Sequence, residues 1–203
     1  MKIDKLGFVN MVDVVPEQKI GSASVKHFTI TEPEARFNNM RAAMHGGRRE
    51  DEVEPGRFAR LMVSGGLMMS DTHGERWSNW VACRDAKGDV LIAGLGLGML
   101  AVAMSLKESV RSITIVENNS DVIALVGPHI ASEKITVVHG DIFTWLPGRG
   151  QKWDCIWFDI WPHVCTDNLK QIAQLHQKFK ARKRLWMRSW RHDDLLHRRR
   201  AGR

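Results

Sequence analysis

Four groups of residues in this chain have the side chains and the spacing to do chemistry. The first is Gly94-x-Gly96-x-Gly98, which follows the short apolar run ending at Ala93. Three positions without a Cβ let a chain turn tightly and let its backbone approach a ligand closely. The spacing departs from G-x-G-x-x-G, because position 99 is Met and position 101 is Ala. The second is Glu117, the last residue of RSITIVE, roughly 20 residues beyond the glycines, where an acid accepts hydrogen bonds from ribose hydroxyls. The third is Gly140-Asp141, after ITVVH. Its carboxylate can accept from an adenine amino group, cap a helix over 142–146, or do both. The fourth is Asp159 in WDCIWFDIWP, placed to face the reacting end of a ligand and to take or hold a proton there. Two residues just after it belong to the same loop. Trp161 reads as a stacking platform or a packing lid, and His163 as a general base or an exposed loop histidine.

Other candidates carry simpler explanations. Asp71, His73 and Glu75 cluster before a helical stretch. They could ligate a metal, but Asp71 as a helix N-cap with Glu75 in the first turns accounts for them, and no metal is expected. Asp71 is also kept as a candidate substrate contact. The three cysteines, Cys83, Cys155 and Cys165, form no C-x-x-C pair, which argues against a zinc knuckle and a disulfide framework. Cys155, Trp157 and Phe158 sit in an apolar run and read as core.

The elements that must position these residues fall into two regions. Residues 1–71 form a small α+β extension. It has β-like runs at 11–15 and 25–30 separated by a turn at 18–21, and a helix from Thr31 to about Met44 that stops at Gly46-Gly47. A polar loop over 46–57 leads to a hairpin, 58–63 with 67–70, turning at Ser64-Gly65-Gly66. A helix over 72–86 follows. From residue 89 strands and helices alternate: strands at 89–93, 111–117, 135–139, 153–159 and 184–190, helices at 99–106, 120–129, 167–179 and 193–200. Such alternation predicts an α/β fold with a doubly wound, Rossmann-like parallel sheet of about five strands in the order 3-2-1-4-5. In such a sheet ligands bind at the carboxyl ends of the strands, where all four groups lie.

Taken together, LIAGLGLGM, ITIVENNSDVIALV, VVHGDIFTWL and WDCIWFDIWP resemble the class I S-adenosylmethionine-dependent methyltransferases over about residues 72–190. The wording is most similar to the spermidine-synthase-like branch, in which a hairpin and a helix also precede the glycines. The chain also resembles small methyltransferase-like proteins carried by phages and prophages. The resemblance implies S-adenosyl-L-methionine as cofactor. Gly94, Gly96 and Gly98 would pass under its amino acid and ribose, Glu117 and Asn118 would hold the ribose, and Asp141 and Ile142 the adenine. Asp159 would be catalytic, with Trp161, His163 and Asp71 toward the acceptor. The sheet departs from the family pattern by stopping at five strands instead of seven. The second acid that spermidine synthases place soon after the strand-four Asp is replaced by Ile160, Trp161, Pro162 and His163. The expected activity is methyl transfer to a small-molecule or exposed amine or oxygen acceptor. The alternatives are an aminopropyltransferase and a non-catalytic module that binds the cofactor.

Length and charge set the remaining bounds. The 203 residues are 43% hydrophobic and 26% charged, an ordinary soluble composition of single-domain length. No apolar run reaches the ~18 residues of a membrane span. The N-terminus, MKIDKLGFVN, has no apolar segment of signal-peptide length. The expected location is the cytoplasm, that of a host if phage-encoded, with no membrane partner. The net charge of +7 is concentrated in residues 178–203, leaving the rest slightly acidic. That segment could bind nucleic acid phosphates, but a solvated or subunit-contacting basic surface is favoured. Leu185, Trp186, Trp190, Leu195 and Leu196 interleave with the charges and predict a sheet-edge strand followed by a docked helix. A homodimer stays open.

Overall fold

The computed structural model describes residues 3–47 and 51–202. In chain order its elements are β1 (Gln18–Ile20), β2 (Ala23–Ile30), α1 (Glu32–Met44), β3 (Gly56–Val63), β4 (Gly66–Ser70), α2 (His73–Asp85), β5 (Gly88–Ala93), α3 (Met99–Ser105), β6 (Val110–Glu117), α4 (Ser120–Val126), β7 (Ile135–His139), β8 (Trp153–Phe158), α5 (Asn168–Phe179), β9 (Lys183–Ser189) and α6 (His192–Arg200). The strands β5 to β9 pair in parallel in the order β7-β6-β5-β8-β9, which is the predicted 3-2-1-4-5. The chain winds outward through β6 and β7, then crosses to β8 and β9 on the other side of β5. The strand order therefore reverses beside β5, and a crevice opens there.

Period-two patterning decides how this sheet is covered. Val90, Ile92, Cys155 and Trp157 point to one face and join Leu97, Ile113 and Leu125 with Phe8, Met11, Val25 and Leu61 of the N-terminal region. Leu91, Ala93, Ile156 and Phe158 point to the other and pack on Leu169, Ile172, Leu175 and Phe179, the apolar stripe of α5. Both central strands are thus buried on both faces, as their unbroken apolar runs require.

The N-terminal region forms an antiparallel sheet, β1-β2-β3-β4. The helix α1 begins as expected, with Thr31 and Glu34 forming a reciprocal capping box. The helix α4 lies between the two sheets, touching β1 and β2 on one side and β6 and β7 on the other.

Four local expectations change. Residues 11–15 are not a strand. Met11–Asp13 form one 3-10 turn capped by the Asn10 side chain, and Met11 and Val15 are buried through tertiary packing. The expected turn at 18–21 is strand β1, and the reversal falls at Gly21-Ser22. Gly21 has φ +52°, a Cβ there would collide with the Asp121 carboxylate, and Ser22 donates to that carboxylate from N (2.7 Å) and Oγ (2.8 Å). No helix follows Asp141; residues 142–144 make a single turn. Of the expected 46–57 loop, residues 48–50 lie outside the described residues and β3 already begins at Gly56.

Asp71 needs the largest correction. The N-cap of α2 is Thr72, and Asp71 neither caps the helix nor lines the cavity described below. It is fully buried (0% exposed), accepting from Met11 N (2.7 Å), Ala59 N (2.7 Å) and Arg76 Nη2 (3.2 Å). Its carboxylate ties the first turn, β3 and α2 together.

Candidate active site

A cavity of about 400 Å³ opens at the carboxyl ends of β5, β6, β7 and β8. Its floor is the loop after β5. Gly94 has φ +97°, and a Cβ there would collide with the Asp159 carbonyl. Only glycine lets the loop cross the end of β8 this closely. Glu117, at the end of β6, holds the same loop: Oε2 accepts from Leu95 N (2.8 Å) and Oε1 from Asn119 N (2.8 Å). One lone pair on each oxygen is used in this way, and Glu117 also lines the cavity. Asp141 is set by its own turn, Oδ1 accepting from Phe143 N (2.9 Å). From below, Lys178 of α5 clamps that turn by donating to the carbonyls of Ile142 (2.9 Å), Phe143 (2.8 Å) and Trp145 (2.7 Å).

The structure brings eight of the sequence candidates to this cavity: Gly94, Gly96, Glu117, Asn118, Asp141, Ile142, Asp159 and Trp161. Trp161 is a buried wall, 7% exposed, whose indole donates to Gln171 Oε1 (2.6 Å). Three candidates lie elsewhere. Asp71 sits in the junction described above. Gly98 starts α3 at φ +76°, and its bare Cα faces Ile130 and Val126, so it serves helix packing rather than a ligand. His163 is exposed and lies outside the cavity lining, its carbonyl accepting from Asn168 Nδ2 (2.7 Å).

Other lining residues were missed. Glu75 and Asn79, one helical turn apart on α2, face the cavity with Asp159 and Trp190. Their i,i+4 spacing in GERWSNW is the available signal, whereas the sequence alone offers Glu75 as a first-turn acid or a metal ligand. The roof comes from the β3–β4 hairpin, through Leu61, Val63, Met68 and Met69. Met69 reaches the floor: its Sδ accepts from Leu97 N (3.1 Å), in the space that a Cβ on Gly96 would fill.

Electrostatics divide the cavity. Asp159 is pushed up to about 7, first by burial and then by the charge of Glu75, with hydrogen bonding from Trp157 and Asn79 opposing part of the shift. Burial also raises Glu75, against the pull of Arg191 and a hydrogen bond from Ser78. One end of the cavity thus offers strand-end acids on a glycine loop. The other offers a carboxyl that exchanges its proton near neutral pH, which suits general acid–base work.

No family model matches the chain, and no curated protein matches it. Solved structures do. The SAH-bound methyltransferase PaMTH1 of Podospora anserina is 18% identical with a TM-score of 0.42, over 57% of this chain and 49% of that one. The plantazolicin methyltransferase BpumL, crystallised with a desmethylPZN analog and SAH, is 13% identical with a TM-score of 0.41, over 60% and 46%. A dimethyladenosine transferase of Plasmodium falciparum is 21% identical with a TM-score of 0.37, over 48% and 32%. The chain spans about half or less of the length of these three structures.

Proposed function

We propose that this chain is a class I S-adenosylmethionine-dependent methyltransferase acting on a small-molecule or exposed amine or oxygen acceptor. The observation that carries the proposal is the single cavity in which the glycine loop, Glu117 and Asp141 meet Asp159 at the strand-order reversal. The residues fit the cofactor. Gly94 and Gly96 leave backbone rather than side chain facing the cavity, Glu117 keeps lone pairs for a pair of ribose hydroxyls, and Asp141 accepts from an adenine amino group. Ile142 and Asn118 flank those positions. The volume lies within the range of small-molecule sites.

When bound, the cofactor supplies an electrophilic methyl on a sulfonium. The chain's own part is alignment and proton handling. Trp161 and Trp190 wall off the space beside Asp159, and Asp159 accepts the acceptor's proton.

The test is calorimetry with S-adenosylmethionine, SAH, decarboxylated S-adenosylmethionine and NAD. Binding of S-adenosylmethionine and SAH, weakened in Glu117→Ala, is the expected result. Binding of NAD alone overturns the proposal. Preference for the decarboxylated form points to aminopropyl transfer.

A further inference from the structure

The Asp159 end of the cavity has a chemical bias that its lining reveals. Three of the hydrogen-bond donors around it are already engaged. Asn79 Nδ2 donates to the Glu75 carbonyl (3.1 Å), Trp190 Nε1 to Ser78 Oγ (3.0 Å) and Trp161 Nε1 to Gln171 Oε1 (2.6 Å). The Trp157 indole is the exception: its Nε1 is left over among the described residues, and it lies against Asp159, whose charged form it favours. The acceptors are not satisfied in the same way. Asn79 is 1% exposed, and its Oδ1 is buried without a hydrogen-bond partner among the described residues. The Glu75 and Asp159 carboxyls line the same space. A buried acceptor without a donor is uncommon in a folded protein and calls for a ligand or water that donates.

Matching groups can be sorted by their hydrogens. A carboxylate or phosphate brings none and meets two acids. A hydroxyl brings one and satisfies one acceptor. A primary ammonium brings three, and its charge suits a pair of carboxyls. The cation facing this pair from a neighbouring element is Arg191, which pairs with Asp194 Oδ2 at 3.0 Å.

We propose that Glu75, Asn79 and Asp159 form a subsite for a primary amine, so that the atom methylated is nitrogen rather than oxygen. This rests on the methyltransferase proposal above. The amine enters as its ammonium and gives one proton to the Asp159 carboxylate. The freed nitrogen pair forms the N–C bond to the donor methyl, and the pair of the broken C–S bond stays on sulfur. The product leaves as a protonated secondary amine. The Glu75 carboxyl stays beside the nitrogen, and Asn79 Oδ1 accepts one of its hydrogens.

The test is ligand-observed NMR at millimolar concentration with n-butylamine and benzylamine, each matched to its alcohol and to butyrate or benzoate. It is run with and without SAH. Wild type is expected to bind the amines at least tenfold more tightly than the matched alcohols and acids. Glu75→Gln and Asn79→Leu are each expected to lose tenfold or more in amine affinity while binding SAH as wild type does. Equal binding of amines and alcohols overturns the proposal. So does failure of both amines to bind, or amine affinity unchanged in both variants. Thermal melts identify a variant that fails to fold, and the other then carries the test. Loss of SAH binding in wild type counts against the cofactor reading. Loss of amine selectivity counts against the subsite.

Discussion

Replacing Asp159 with Asn separates the cost of burying this carboxyl from everything else in the fold. The group ordinarily ionises near 3.8, and in the folded protein it does so near 7. Between about pH 4 and pH 7 the folded state therefore holds about one proton that the unfolded chain has released. A raised acid contributes stability at the low end of this window and loses it as pH climbs. The slope is about 1.4 kcal/mol per pH unit at its steepest. A shift of roughly three units accumulates to about 4 kcal/mol above pH 7, an upper figure because water and side-chain relaxation soften burial. Asn keeps the shape and never ionises. Relative to its low-pH value, the stability of Asp159→Asn minus that of wild type should thus rise from about 1 kcal/mol at pH 4.5 to as much as about 4 kcal/mol at pH 8. Urea unfolding at pH 4.5, 6, 7 and 8 measures it. His176, lowered mainly by burial, has the opposite trend, but it is common to both proteins and drops out of the difference. A difference flat across this range would refute the assignment of Asp159 as a buried, proton-holding acid.

Four further outcomes follow from the geometry. Asp71→Ala leaves two backbone donors and Arg76 without their buried acceptor, so it should cost about 3–5 kcal/mol in urea unfolding while SAH affinity stays unchanged in the folded fraction. Glu117→Ala should weaken SAH by about 1–3 kcal/mol in calorimetry, through lost ribose bonds and a loosened glycine loop. Gly94→Ala should destabilise by more than the 1–2 kcal/mol of a left-handed backbone, because its Cβ meets a carbonyl that cannot move aside, and SAH binding should fall with it. Removing residues 195–203 should cost about 2–5 kcal/mol because Leu195 is 1% exposed, whereas removing 197–203 should leave the melting temperature nearly unchanged.

The parallel sheet was legible because its signal is local. VLIA and CIWF are apolar on both faces, and Glu117 and Asp159 stand out as acids that end such runs. The registers of α5 and of the capped α1 were legible for the same reason. What escaped the sequence was decided by distant partners. Met11–Val15 has strand-like composition, but the Asp71 carboxylate takes the Met11 amide and favours a turn. Asp71 looked like a cap because caps are acidic, and only the fold shows that Ala59, Met11 and Arg76 converge on it. Gly98 shared the motif of its neighbours, yet its contact is Ile130. Glu75 and Asn79 became site residues because the fold brings that face of α2 to the cavity beside Asp159, a placement decided by tertiary packing.

The bond from the Leu97 amide to the Met69 thioether makes the glycine loop and the β3–β4 hairpin one thermodynamic unit. A molecule that takes this amide for itself first has to displace the sulfur, so its measured affinity is its intrinsic affinity reduced by the free energy of that displacement. Linkage makes the effect reciprocal: what loosens the hairpin favours the occupant, and what the occupant gains at the loop is felt as slack in the hairpin. For an occupant that competes for this amide, binding would be read in the hydrogen-exchange rates of residues 66–70, and sequence changes in the hairpin would tune its affinity.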